Sequence, residues 1–183
     1  MCGVSDTPDD LALPAALAEV AEIGFTYEWD EDSDEAVGCD FELYPRLEEP
    51  SRTAWWLRLW TGNPEADGSR FRFFGTTGAG DYTGFWLIRP GTPLTGQPVV
   101  HLGSEGDRGV IARDLGDLLW LFAAGLGPGE AFDDPARPAE PNDGFRAIAE
   151  RHAPGRRRDP ARIVADARAE FPGFSGLIDA MCR

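Results

Sequence analysis

A glycine-rich stretch, FGTTGAGDYTGFW at residues 74–86, contains the residue types of a phosphate-binding loop. A P-loop ends in Gly-Lys-Ser/Thr, and this chain contains no lysine. A dinucleotide-binding fingerprint that used Gly78 and Gly80 would require glycine at position 83, where Thr83 stands. Such a fingerprint also lies between a strand and a helix, whereas these glycines lie between two apolar runs typical of strands. The stretch therefore predicts a hairpin turn, and we expect no cofactor.

Two other sets of residues have the types needed for nucleophilic catalysis. Removal of Met1 would expose Cys2, whose α-amine could serve as its base, and this start resembles that of N-terminal-nucleophile glutamine amidotransferases. Those enzymes continue into an apolar strand, whereas this chain continues SDTPDD. His101 and Ser104 lie close in sequence, but GSEG is not the G-x-S-x-G motif, and no orienting acid can be identified. We expect no catalytic residue, with a hydrolase or transferase that uses Cys2 or His101 and Ser104 as an alternative.

Charge is the most pronounced bulk property of the chain. The net charge is −15 and the isoelectric point is about 4.4, which disfavours nucleic acid as a partner and favours basic partners. Asp30, Asp32 and Asp34 match the first three positions of a calcium-binding loop, but Glu35 and Phe41 replace its glycine and its bidentate glutamate. We therefore expect no metal. The basic run at 156–158 is expected to meet carboxylates of the chain itself.

The cysteines and the N-terminus bear on the compartment. Cys2, Cys39 and Cys182 are odd in number and scattered, which indicates reduced, inert thiols. The first ten residues lack the features of a secretory signal, and no run approaches the ~18–20 apolar residues of a membrane span. We expect a cytoplasmic protein without a membrane partner.

Hydrophobic periodicity predicts the elements that position these residues. A helix is expected over 10–23 and another over 51–60, opened by a Ser51 cap, although alternation also permits a strand there. Apolar runs at 71–74, 85–88, 98–102 and 109–112 predict an antiparallel meander. A helix capped by Asp114, with Asp117 at the capping-box position, follows the meander and ends near Gly125 or Gly127. A proline-rich connector over 129–141 and three short helices complete the chain, the second opened by Asp159 and Pro160.

These elements predict a single α+β domain over 1–183. Its centre is a mostly antiparallel sheet of about four to six strands, packed by N-terminal and C-terminal helices, with a helical C-terminal part over about 142–183.

Residues 71–127 resemble the core of the SUKH superfamily, which includes the Smi/Knr-type fungal cell-wall-assembly regulators and many bacterial immunity proteins. The matching parts are the turn at 78–82, Pro98-Val99-Val100, the GSEG loop at 103–106 and the leucine-rich helix at 114–122. WTGN at 60–63 and EFP at 170–172 are similar to longer members, whereas LALPAAL at 11–17 matches only part of the superfamily's LP-x-x-(Y/F) phrase. The residues to which the resemblance assigns a structural role are Gly78, Gly80, Gly84, Pro98, Gly103 and Gly106.

The resemblance implies a non-enzymatic protein-binding module of the immunity type, which neutralises a cognate toxin, often a nuclease or deaminase. The acidic charge would complement a basic toxin. An intracellular regulatory or scaffold protein is the alternative from the same superfamily. Aromatic residues among charges are typical interface anchors, and the expected partner-binding residues are Trp29, Asp30, Asp32, Asp34, Asp81, Tyr82, Glu105 and Asp107.

Overall fold

Two antiparallel sheets form the β-structure of the domain. The computed structural model of the chain describes residues 11–30 and 35–183. Strands β1 (Tyr27–Asp30) and β2 (Glu35–Gly38) pair only with each other. The second sheet contains five strands in sequence order: β3 (Glu42–Leu43), β4 (Phe71–Thr76), β5 (Tyr82–Trp86), β6 (Val99–Leu102) and β7 (Arg108–Ala112). The antiparallel meander and the α+β class expected from the sequence are therefore confirmed.

Seven helices surround the five-stranded sheet within the described residues. They are α1 (Ala15–Ile23), α2 (Pro50–Thr61), α3 (Leu115–Ala123), α4 (Pro128–Asp133), α5 (Asp143–His152), α6 (Pro160–Glu170) and α7 (Phe174–Met181). A single 3₁₀ turn at Leu94–Gly96 precedes β6.

Side chains alternate between the two faces of this sheet and build a separate core on each. One core combines strand residues such as Phe74 and Ile111 with α1, α3 and α5. The other combines Phe73, Trp86 and Val110 with residues of α2 and α7. Helix α6 contributes to both cores and contacts β7, so the last strand of the sheet is covered by helix.

Several local signals in the sequence produce the expected structure. Asp114 caps α3, since its Oδ1 accepts a hydrogen bond from the N–H of Asp117 at 3.0 Å. Asp159 caps α6 in the same way, and Pro160 occupies its first turn. Gly80 has φ +88°, and the N–H of Gly80 donates to the carbonyl of Thr77 at 3.0 Å. The glycine-rich stretch is thus a tight turn between β4 and β5, as predicted.

Three expectations about the elements were wrong or incomplete. Helix α2 exists, but it begins at Pro50 after Glu49, and Ser51 does not cap it. Proline is favoured at the first helical position because its φ is already helical and it lacks the N–H that would need a partner. The connector expected over 129–141 begins within α4, and the carboxylate-rich residues 27–45 include β1, β2 and β3. The sequence predicted none of these four elements.

The residues with an expected structural role lie in turns or where the backbone of a neighbouring segment is in close contact. A Cβ on Gly84 would lie 2.6 Å from the carbonyl oxygen of Arg72, so the pairing of β4 with β5 requires glycine there. The N–H of Gly78 donates to the Asp40 carboxylate at 3.0 Å. The carbonyl of Pro98 accepts from the N–H of Trp86 at 2.8 Å. Gly103 and Gly106 form the turn between β6 and β7.

Candidate protein-interaction surface

The strand pair β1–β2, called here the acidic hairpin, is the centre of the most acidic part of the chain. Residues 27–49 contain ten acidic residues and one arginine. The exposed side chains of Glu28 and Glu42 make no ion pair within the described residues. Tyr27 is 53% exposed and Val37 is 55% exposed. Apolar side chains exposed among unpaired carboxylates are typical of an interaction surface.

The base of the acidic hairpin is fixed to the domain through backbone contacts. The N–H of Cys39 donates to the carbonyl of Thr26 at 2.9 Å. Gly38 has φ +94°, and a Cβ there would lie 2.0 Å from that same carbonyl oxygen. The Cys39 thiol in turn donates to the carbonyl of Gly125 at 3.3 Å and accepts from the N–H of Gly127 at 3.1 Å. The hairpin is therefore held against the turn between α3 and α4.

A cavity of about 310 Å³ lies beside this base, between β2 and the connector that follows α4. Its lining includes the rings of Phe25, Phe122 and Phe145, and the centroid of Phe25 lies 5.0 Å from that of Phe122 and 4.9 Å from that of Phe145. Charged side chains of Glu130 and Arg137 also line it. The rings come from the segment between α1 and β1, from α3 and from α5, so the cavity is a product of the tertiary fold.

Cys39 borders this cavity as a neutral group. Burial, and next the negative charge of Glu130, raise the pKa of the Cys39 thiol to about 12. The thiol is therefore protonated at neutral pH and is a weak nucleophile. Cys39 and Cys182 are free, and Cys2 lies outside the described residues.

Six of the eight expected partner-binding residues lie in the described structure, at two places in the fold. Trp29 and Asp30 belong to β1, where their backbones pair with Ala36 and Glu35. Asp32 and Asp34 lie outside the described residues. The other four residues lie at the end of the five-stranded sheet where the turns β4–β5 and β6–β7 meet: Asp81, Tyr82, Glu105 and Asp107.

Asp81 joins those two turns. Its Oδ2 accepts a hydrogen bond from the hydroxyl of Thr77 at 2.8 Å, and its Oδ1 accepts from the N–H of Ser104 at 2.8 Å. Burial alone would raise the pKa of Asp81, but these hydrogen bonds outweigh it and lower the pKa below its ordinary value. Both oxygens of the Asp81 carboxylate thus accept hydrogen bonds that connect the two turns. Glu105 and Asp107, in the turn between β6 and β7, are exposed.

Tyr82 is a core residue with little surface for a partner. It is 8% exposed, and its ring centroid lies 4.0 Å from that of Trp56 and 5.1 Å from that of Phe73. Burial raises the pKa of Tyr82 and of the neighbouring Tyr44. Alternation along β5 places Tyr82 on the face that α2 covers, which a sequence pattern alone did not reveal.

Glu48 lies close to these tyrosines as a buried carboxyl group. Its Oε2 accepts a hydrogen bond from the hydroxyl of Thr53 at 2.8 Å, and its Oε1 lies 3.8 Å from Nε of Arg52. Burial nevertheless dominates and raises the pKa of Glu48. No local sequence pattern marks Glu48 as a buried carboxyl group, because its burial follows from the packing of α2 on the sheet.

The outer face of α2 carries an exposed apolar pair, Trp55 and Leu59, one helical turn apart and each more than half exposed. The guanidinium of Arg52 lies 5.4 Å from the centroid of the Trp55 ring. This face is a second exposed apolar surface, with basic rather than acidic neighbours.

Asp117 is the centre of an ion cluster between α3 and the loop before α6. Its side chain is 0% exposed, and its carboxylate accepts hydrogen bonds from Arg113 at 2.8 Å, Arg156 at 2.7 Å and Arg158 at 2.9 Å. Arg158 also contacts Asp166 at 2.6 Å. The expectation that the basic run at 156–158 meets the chain's own carboxylates is confirmed for Arg156 and Arg158. The Asp117 side chain binds arginines instead of closing a capping box.

The His101–Ser104 pair considered from the sequence is not formed. His101 is 3% exposed and stacks on Phe132, with the ring centroids 5.1 Å apart. Burial lowers the pKa of His101, and its Nδ1 has no hydrogen-bond partner within the described residues. The N–H of Ser104 is bound to Asp81, and no hydrogen bond joins its side chain to the imidazole.

Comparisons with known proteins give no relative from which a function could be inferred. No family model matches the chain, and neither the curated proteins nor the solved structures give a match. In the part of the chain that the structure describes, no helix has the length and apolar character needed to cross a membrane. The same residues contain no grouping of three or more His, Cys, Asp or Glu side chains with the arrangement of a metal site.

Proposed function

We propose that the protein is a non-enzymatic binding module of the immunity type, which binds and neutralises a basic protein toxin in the cytoplasm. The observation that carries the proposal is the acidic hairpin, in which the exposed Val37 lies opposite Glu28 on one face and the exposed Tyr27 lies near Glu42 on the other. Neither carboxylate makes an ion pair within the described residues. Such a surface attracts a basic partner over a distance of about a Debye length and then buries apolar side chains against it. The resemblance of residues 71–127 to the SUKH superfamily is the second basis.

The position of the hairpin suits this role. In the described structure its two strands form a sheet of their own, so a partner can lie along them without displacing a core strand. Cys39 fixes the base of the hairpin to the domain, so the surface is organised before the partner arrives. An organised surface loses less conformational entropy on binding than a disordered one.

The experiment is co-expression and co-purification with basic toxin candidates encoded beside the gene. We expect a complex that protects the host from the toxin and whose dissociation constant rises steeply with salt. Replacing Glu28 and Glu42 together by arginine should weaken the complex at least about tenfold, mostly through slower association. The control variant, Glu150→Arg on the exposed face of α5, should leave the affinity within about twofold.

The outer face of α2 provides a second control. Trp55→Ser should leave the affinity unchanged if the partner uses the acidic hairpin. Absence of a complex and of protection with every neighbouring basic candidate would refute the immunity role. A complex that depends on Trp55 and not on Glu28 and Glu42 would refute the binding surface proposed here.

A further inference from the structure

The cavity beside the acidic hairpin combines an aromatic lining with an excess of negative charge. The rings of Phe25, Phe122 and Phe145 form its apolar part. Its charged lining residues are Glu130, Glu140 and Arg137. None of these three charged side chains makes an ion pair within the described residues. The cavity thus suits a group that has an apolar stem and a positive end.

We infer that this cavity receives an arginine side chain of the protein partner. The inference rests on the proposed function, because Val37 and Gly38 line the cavity and also belong to the acidic hairpin. A partner that lies along the hairpin therefore passes over the mouth of the cavity. The volume of about 310 Å³ lies at the lower end of the range for ligand pockets, about 300–1,000 Å³, which suits a single side chain.

Charge and shape favour arginine over other occupants. A purely apolar side chain would desolvate Glu130 without compensating its charge, at a cost in binding free energy. An acidic side chain would add a negative charge to a lining that contains two acidic residues and one basic residue. The methylene stem of arginine can pack on the phenylalanine rings, its planar head can stack on an aromatic face, and its paired N–H groups can reach a carboxylate in a bidentate manner.

The lining of the cavity is fixed rather than adaptable on the side of the connector. Gly125 has φ +85°, and a Cβ there would lie 2.1 Å from the carbonyl oxygen of Glu140, so the connector packs directly on the end of α3. Asn142 follows, and its N–H donates to the carbonyl of Ala123 at 3.2 Å. Cys39, protonated as described above, adds no charge to the cavity.

The test is a titration of the full chain with short peptides, followed by amide chemical shifts in ¹H–¹⁵N spectra. The probes are acetyl-Gly-Arg-Gly-amide, the same peptide with citrulline, which has nearly the shape of arginine without its charge, and the same peptide with norleucine. We expect the arginine peptide to shift the amide signals of Val37, Gly38 and Ala139 saturably. The citrulline and norleucine peptides should bind at least about tenfold more weakly, as expected for loss of a charge-assisted hydrogen bond.

Two variants make the test specific. Glu130→Gln removes the charge and keeps the size of the side chain, and it should weaken the arginine peptide about tenfold. Glu150→Gln, on the exposed face of α5 away from the cavity lining, should leave its affinity unchanged. Equal binding of the arginine and citrulline peptides, or an affinity that Glu130→Gln leaves unchanged, would overturn the inference.

Failure of this inference is distinguishable from failure of the proposed function. If a basic toxin binds through Glu28 and Glu42 with an affinity that Glu130→Gln does not alter, the binding function stands and the arginine site is overturned. If the arginine peptide binds with the expected dependence on Glu130 while no toxin binds the hairpin, the cavity keeps its preference for arginine and the proposed function fails.

Discussion

The carboxylate of Asp81 accepts a hydrogen bond from the backbone N–H of Ser104, 23 residues later in the chain, at 2.8 Å. The same carboxylate accepts from the hydroxyl of Thr77 across its own turn. One side chain therefore connects the turn between β4 and β5 to the turn between β6 and β7. An aspartate that appears in the sequence as part of a hairpin turn is a link between two hairpins.

Replacing Asp81 by alanine should destabilise the domain by about 1–2 kcal/mol, because two donors lose a charged acceptor that is partly accessible to water. The lowered pKa of Asp81 fixes the sign of the pH effect. Its contribution is present above about pH 4, the pKa of an unfolded aspartate, and is lost as the pH falls through the lower folded pKa. Urea unfolding of both proteins between pH 7 and pH 3 measures this, and the difference should shrink at the acid end.

The control for Asp81 is Asp107→Ala, because the exposed Asp107 side chain lies in the adjoining turn and makes no hydrogen bond in the described structure. It should change the free energy of unfolding by less than about 0.5 kcal/mol. Equal losses from Asp81→Ala and Asp107→Ala would contradict the linking role.

Replacing Asp117 by asparagine should destabilise the domain by about 2–4 kcal/mol. The change leaves Arg113, Arg156 and Arg158 around a neutral side chain, and removal of one partner from a buried ion pair is costly. The arginines are themselves about a third exposed, so solvent offsets part of the loss. Thermal or urea unfolding at pH 7 provides the measurement. Arg162→Gln, at an exposed ion pair with Asp166, should cost under about 0.5 kcal/mol, and a larger cost there than at Asp117 would argue against the cluster.

Replacing Glu48 by glutamine should leave the domain equally stable at pH 7 or stabilise it by up to about 1 kcal/mol. Glutamine keeps an oxygen acceptor for Thr53 and removes a charge that burial disfavours. Because the folded pKa of Glu48 is raised, protonation of Glu48 stabilises the folded wild type. This contribution to the free energy of unfolding is fully present below the unfolded pKa of about 4.3 and is lost as the pH rises through the folded pKa. Urea unfolding at pH 4.5 and pH 7 should show the gap between the two proteins widening toward pH 7.

The matched control for Glu48 is Glu49→Gln, at an exposed neighbouring carboxylate. Its effect should not exceed about 0.5 kcal/mol at either pH. A destabilisation of more than about 1 kcal/mol by Glu48→Gln at pH 7 would show that the ionised form is favoured by the fold after all.

The two described cysteines should react at very different rates with a thiol reagent. A pKa of about 12 leaves roughly 10⁻⁴ of the Cys39 thiols ionised at pH 8, against roughly a quarter for an ordinary cysteine. In the Cys2→Ser variant, the exposed Cys182 should be labelled quickly and Cys39 at least about 1,000-fold more slowly until guanidinium unfolds the chain. Mass spectrometry of the labelled peptides assigns the rates, and similar rates for both thiols in the folded protein would count against the protonated, enclosed Cys39.

Structural features that depend on a few neighbouring residues were predictable from the sequence. The turn after β4 needs a residue with a positive φ, which Gly80 adopts without strain. Asp114 and Asp159 precede apolar helical repeats at the capping position. The basic run at 156–158 could be paired with carboxylates because an acidic chain offers many of them. Each of these expectations depends on chemistry within one turn or on bulk charge.

Features that depend on tertiary packing were not predictable. Asp and Glu are rare in strands, so the composition of β1 and β2 argued against the hairpin that they form. Successive side chains of β5 point to opposite faces of the sheet, so the sequence predicts that Tyr82 and Thr83 lie on different faces. It does not predict that α2 covers the face of Tyr82. The cavity needs Phe25, Phe122 and Phe145, which are up to 120 residues apart and converge only in the folded chain.

The separation of the acidic hairpin from the five-stranded sheet has an evolutionary consequence. Residues 27–30 and 35–37 contribute no strand to the ladder of β3 to β7 and no residue to the two hydrophobic cores. If the hairpin binds the partner as proposed, selection for a new partner can act on this short segment while the rest of the domain keeps its folding constraints. A scaffold divided in this way can diversify rapidly in recognition and slowly in architecture.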